Sequence, residues 1–215
     1  PKVNRIDYEL DDIGNELISK VVYALDLPDD IPIAARYNER KNNPGRLILA
    51  RYISSAYLLS GDIERFQIAN VGLIRSGLLK RLESSPQALN TTLTKLINAH
   101  KAFLKALKLG YILKGEALRD YTSSDDADLD IFIENLDEEG LQDVEKASQY
   151  DVKALQADVE TDLVLLVELQ ILAEKSAKTN DLKAKRLVEE LTDIAAKSRK
   201  ADARGISSGD RRKVI

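Results

Sequence analysis

The sequence predicts an all-α protein: a multi-helix domain of antiparallel helical hairpins, with about seven or eight helices. Three observations carry that prediction. Apolar residues recur at helical spacing along most of the chain, as in Ile13, Leu17, Val21 and Leu25. Capping and stop signals bound these stripes, most clearly Ser85 and Pro86 before one of them and Gly110 after it. The composition is 32% charged and 5% aromatic, with alanine and leucine prominent, which suits a helical chain. The pattern is compatible with a short strand at either end.

Val3 to Leu10 alternate loosely and suggest the first of those strands. The period changes at Asp11, where the first helix begins. Its end is set by the turn-rich LPDDIPIAARYNERKNNPGR. A second helix is expected in LILARYISSAYLL, stopped by Ser60 and Gly61, and a third from about Asp62 towards Leu82. The next helix is the best specified. Ser85 suits the N-cap, and Pro86 the first helical position, where its missing N–H is harmless. Leu89, Leu93, Leu96, His100, Phe103 and Leu107 follow at spacings of four and three. Lys101, Lys105 and Lys108 lie towards its C-terminal end, complementing the helix dipole.

DYTSSDDADLD reads as a loop by composition. Residues 128–148 read as one or two short helices broken near Asp137 and Gly140. A long amphipathic helix runs from Asp151 to about Lys178, carried by Val152, Leu155, Val159, Leu163, Leu166 and Val167. Another spans roughly Asp181 to Lys200, with Leu182, Leu187, Leu191 and Ile194. The expected organisation is a helical domain over 1–200, its basic part about 71–119 and its acidic hairpin part about 120–200. Residues 201–215 then form a linker, ADARGISSGDRRK, and Val214 and Ile215 start a strand of a truncated following domain. Methionine is absent even at position 1, as expected of a processed chain or an excised fragment.

Several chemistries are excluded. Without cysteine there is no disulfide, thiolate metal site or cysteine nucleophile, which fits a cytoplasmic protein. No apolar run reaches the roughly 18 residues a membrane span needs. Neither GxxxxGK[ST] nor GxGxxG occurs, so the segment has no nucleotide cradle of its own. His100 is the lone histidine and lies in a leucine stripe, where packing explains it better than catalysis or metal binding. Asp126, Asp128 and Asp130 alternate like the start of a calcium loop. Ile131 and Asp137 stand where such a loop needs glycine and glutamate, so a solvated acidic linker is the better reading.

The near-neutral total of -4 hides an uneven distribution. Between Val71 and Arg119 the cations are Arg75, Lys80, Arg81, Lys95, Lys101, Lys105, Lys108, Lys114 and Arg119, against only Glu83 and Glu116. From Asp120 to Gln170 the balance reverses. A basic block on helices can bind a phosphate backbone by charge. The alternative is that the two blocks face each other or water.

The run GLLKRLESSPQALNTTLTKLINAHKAFLKAL resembles a segment of bacterial and archaeal Swi/Snf-type superfamily-two helicases, some of which carry a phospholipase D-like domain. The matching residues are Leu78 to Ser85, then Thr92, Leu93, Leu96, His100, Phe103, Leu104, Ala106 and Leu107. Lys213, Val214 and Ile215 are similar to the start of the strand opening the second motor lobe. The resemblance implies a helical region between two RecA-like lobes, whose ATP and Mg belong to the parent protein and not to this segment. It further implies a partner, duplex DNA, near a corner made by Glu83, Ser84, Ser85 and His100.

Candidate DNA contacts are Arg75, Lys80, Arg81, Lys95, Lys101 and Lys105. For Arg81 and Glu83 a structural salt bridge competes with DNA contact. Leu78, Leu79 and Leu82 are expected to anchor the corner. No catalytic or metal-binding residue is expected in the segment, and no membrane partner. The competing expectation is a free-standing helical adaptor whose acidic half docks a protein partner, without enzymatic activity.

Overall fold

A computed structural model of the chain describes residues 9–26, 45–61, 63–124, 128–179 and 182–200. Residues 3–8 of the first expected strand, the linker and strand expected over 201–215, and Asp126 lie outside the described residues, while Glu9 and Leu10, the end of that first strand, are described and form no strand.

Among the described residues eight helices carry the fold: α1 (Asp12–Leu25), α2 (Arg65–Ser84), α3 (Pro86–Lys108), α4 (Gly115–Ser123), α5 (Leu129–Glu134), α6 (Glu138–Gln142), α7 (Val152–Thr179) and α8 (Leu182–Lys200). A small antiparallel sheet pairs β1 (Tyr111–Leu113) with β2 (Val144–Lys146), with Ile112 opposite Glu145. Strands of three residues leave too little alternation to be read from sequence.

The caps are local. Asp11 accepts the Gly14 N–H at 2.7 Å, Asp137 the Gly140 N–H at 2.8 Å and Asp151 the Ala154 N–H at 3.0 Å. The expected break at Asp137 is therefore a helix start, with Gly140 inside α6. Asp128 accepts from Asp130 N and Ile131 N and so caps α5. The stretch expected as an acidic loop is shorter than its composition suggests, because Asp120 to Ser123 complete α4. Tyr121 there is buried beside Phe132 of α5, and that burial holds the turn helical.

The long helices α3 and α7 form the spine. One apolar cluster joins Phe103, Leu104 and Leu107 to Leu155 and Val159. The other joins Leu89, Leu93 and Ile97 to Leu166, Leu169 and Ala173. Opposite ends therefore meet, and the pair is antiparallel. Asn90 and Gln170 hydrogen-bond across it at 3.0 Å. The first cluster is closed by β1, α4 and Tyr150, the second by α1 and α2.

The segment LILARYISSAYLL does not form the expected α-helix. Leu49 adopts a left-handed conformation (φ 58), and a 3-10 helix follows over Ala50–Tyr57, kinked at Ile53. The cause is tertiary. Buried Asp162 of α7 accepts the Ile48 N–H at 3.0 Å and the Ala50 N–H at 2.7 Å. Leu47 N–H goes to the Ala24 carbonyl at 2.8 Å. These bonds tie the start of the segment to α7 and α1, and the chain turns through left-handed Leu49 into the 3-10 helix there.

Candidate functional site

The corner between α2 and α3 is built by capping. Ser85 accepts the Ala88 N–H at 3.1 Å through its hydroxyl, and its own N–H bonds the Arg81 carbonyl at 3.1 Å. The terminal carbonyls of α2 are met by Lys183 of α8, whose ammonium donates to Glu83 O at 2.6 Å and Ser84 O at 3.4 Å. A cation at a helix C-terminus is favoured by the dipole. The salt bridge expected between Arg81 and Glu83 is absent: both side chains are exposed, and among the described residues they do not pair. Of the three leucines expected as anchors, Leu78 is buried and Leu82 half-buried, while Leu79 faces solvent.

The cations expected to meet DNA divide. Arg75 is a correction: it is only 6% exposed and donates to the Leu47 carbonyl at 3.5 Å. It occupies a position of the inward stripe Gln67, Val71, Arg75 and Leu78, so it steadies the segment that Asp162 also holds and cannot reach a duplex. Lys80, Arg81, Lys95, Lys101 and Lys105 are all exposed. On α3 Lys101 and Lys105 stand one turn apart on one outward face, while Lys95 lies about 120° from Lys101 round the helix. Lys105 stands 5.6 Å from the centre of the Tyr121 ring.

The basic and acidic blocks meet through ion pairs at Lys114 and at Arg119, the latter 3.5 Å from Asp120. Lys114 pairs with Glu145 at 2.6 Å across the small sheet.

His100 is 0% exposed. Its Nδ1 lies 2.7 Å from the Leu96 carbonyl. A carbonyl only accepts, so Nδ1 carries the proton. Burial, and then the nearby Arg51 cation, push the imidazole pKa down to about 3. The ring is thus neutral at ordinary pH and contacts Tyr52 edge-on, with centroids 6.2 Å apart.

Beside it opens a cleft of about 850 Å³ between the 3-10 segment, α2, α3 and α4. Its cations are Arg51, Lys95, Lys114 and Arg119, and its apolar side chains include Phe66, Ala99 and Leu118. The Arg51 guanidinium lies over the Tyr52 ring, 3.9 Å from its centre. Burial lowers the Arg51 pKa, while Tyr52 alongside raises it. Burial likewise raises the Tyr52 pKa, opposed by the Arg51 charge. A smaller groove of about 360 Å³ abuts the cleft through Asn98 and Thr122 and carries Lys101 and Lys105.

Sequence reasoning passed over Arg51, Tyr52 and Asp162. Asp162 had a signal. Leu155, Val159, Asp162, Leu166, Leu169, Ala173 and Ser176 form the buried stripe of α7, and the carboxylate holds a regular position in it. Among the described residues no group of histidine, aspartate and glutamate could hold a metal ion, and no helix is long and apolar enough to cross a membrane. No protein-family model matches the chain, and neither a curated protein nor a solved structure does.

Proposed function

We infer that this chain is the helical region between the two motor lobes of a cytoplasmic, ATP-dependent DNA translocase, where it links the lobes and contacts duplex phosphates. ATP and Mg would be handled by the flanking lobes. The observation that carries this reading is the uncommitted basic surface. Lys80, Arg81, Lys95 and Lys101 are exposed and form no ion pair with any described residue. A cation with no protein partner keeps its full charge for a phosphate and releases a counterion on binding. The capped corner adds to the argument, since it presents Lys80 and Arg81 from a fixed helix end and not from a loop.

The test is binding of a short duplex by this chain across a salt series. Each neutralised phosphate contributes about 0.9 to the slope of log affinity against log salt. Reversing Lys80 and Arg81 to glutamate should reduce that slope by about two units. Absence of binding at low salt would remove the DNA role.

A second reading, a helical adaptor for a protein partner, is favoured by α8. Its stripe residues Leu187 and Val188 are 52% and 61% exposed, and Leu191 and Ile194 are also open. In the translocase reading a motor lobe covers this face; in the adaptor reading a separate protein does.

A further inference from the structure

We propose that the cleft over Arg51 is a binding site for a small organic phosphate, with the oxyanion held by Arg51 and Lys95 and the apolar body lying against Phe66, Ala99 and Leu118. This goes beyond the DNA reading and does not rest on it, and it assigns Lys95 to the cleft in place of the duplex. The volume of about 850 Å³ falls within the range of small-molecule sites, which are largely apolar with a few placed polar groups.

Arg51 supplies the decisive feature. Its Nε is shut off from water and has no hydrogen-bond acceptor. Among the described residues no carboxylate pairs with it, and Tyr52, through its ring and a side-chain hydrogen bond, is the partner the guanidinium has. A shielded guanidinium without an anion is costly, and an aromatic face offsets only part of that cost. The drop in its pKa on burial has the same origin. A phosphate oxygen suits the guanidinium fork and removes the deficit.

The other charges of the cleft are already committed. Lys114 pairs with Glu145 at 2.6 Å, and Arg119 pairs with Glu116 at 2.9 Å and with Asp120 at 3.5 Å. Asp143, the acid of the lining, accepts the Glu116 N–H at 2.8 Å. Arg51 and Lys95 therefore remain, a charge of two that matches the roughly dianionic phosphate monoester. Phe66 stands exposed at the rim, 61% open, where an apolar body would cover it.

The experiment titrates the chain with phenyl phosphate and with inorganic phosphate at constant ionic strength, followed by calorimetry. Phenyl phosphate should bind, with inorganic phosphate about tenfold weaker because it lacks the apolar body. Arg51→Gln should weaken phenyl phosphate by about tenfold or more. Lys95→Gln combined with Phe66→Ala changes only exposed side chains, and it should weaken binding even if Arg51→Gln fails to fold. Lys80→Glu with Arg81→Glu should leave it unchanged.

No binding of phenyl phosphate at about 10 mM, or unchanged affinity in the Lys95 and Phe66 double variant, would overturn the site. A duplex that displaces phenyl phosphate would assign the oxyanion to DNA and overturn a separate small-molecule site. Simultaneous binding of both supports it.

Discussion

Helices α3 and α8 carry equally clear apolar stripes and meet opposite fates. On α3 the residues Leu89, Leu93, Ile97, His100, Phe103 and Leu107 are buried against α7, the 3-10 segment and β1. On α8 Leu187, Val188, Leu191 and Ile194 stay open. The one tie between α8 and the corner given by the described side chains is Lys183 at the end of α2. Helical period thus reports that a face exists. Whether the same chain supplies its cover is a separate matter, decided by which helices the loops bring together.

The sharpest way to break the comparison is truncation on both stripes. Phe103→Ala should cost about 3–5 kcal/mol of unfolding free energy, from lost burial and the cavity left behind. Leu191→Ala should stay within about 0.5–1 kcal/mol. Denaturant unfolding of the two variants reads the contrast. Equal losses would mean that the α8 face is packed within the chain after all.

The titratable member of the α3 stripe gives a finer version. The folded pKa of His100, about 3, lies below the unfolded value of 6.5. Its contribution is therefore complete above pH 6.5 and lost as pH falls towards 3, because the unfolded chain takes up the proton first. Between pH 6 and pH 4 the wild type should lose about 1.4 kcal/mol per pH unit relative to His100→Leu. Arg51, facing the ring from the 3-10 segment, adds to the resistance against protonation. Equal pH dependence in the two proteins would show that the histidine is charged or solvated when folded.

The smallest effect is at the start of α3. Ser85→Ala removes the hydroxyl that accepts from Ala88 N–H and should cost about 1 kcal/mol, read by thermal unfolding.

Local chemistry explains what was legible in the sequence. Ser85 with Pro86, the α3 stripe, Asp11 and the long α7 helix are each decided by neighbours along the chain and form as expected, save that Ile97 is buried where Leu96 was expected and Leu96 is half-buried. Gly110, with φ 90, ends α3 as its position suggested. Failures occur where distant parts of the chain compete. The LILARYISSAYLL segment looks helical, but its start is tied to Asp162, more than a hundred residues away.

The candidate site was half legible for a related reason. A polar residue on an apolar stripe is buried, and His100 was read that way. Arg75 on α2 and Asp162 on α7 satisfy the same rule. Arg75 was counted as a surface cation because its helix has a weaker stripe, and Asp162 was passed over within an acidic block. Arg51 had no stripe to mark it, since its backbone is not α-helical. The exposed lysines of α3 were legible because the stripe of the same helix fixes which way they face.

The central claim is that the outward cations on α2 and α3 meet the phosphates of a duplex. The direct measurement is duplex affinity against salt concentration for the wild type and for Lys80→Glu with Arg81→Glu. The account predicts binding at low salt that weakens steadily as salt rises, with a slope shallower by about two units in the double variant. Identical slopes in the two proteins, or no binding by the wild type at low salt, would contradict it.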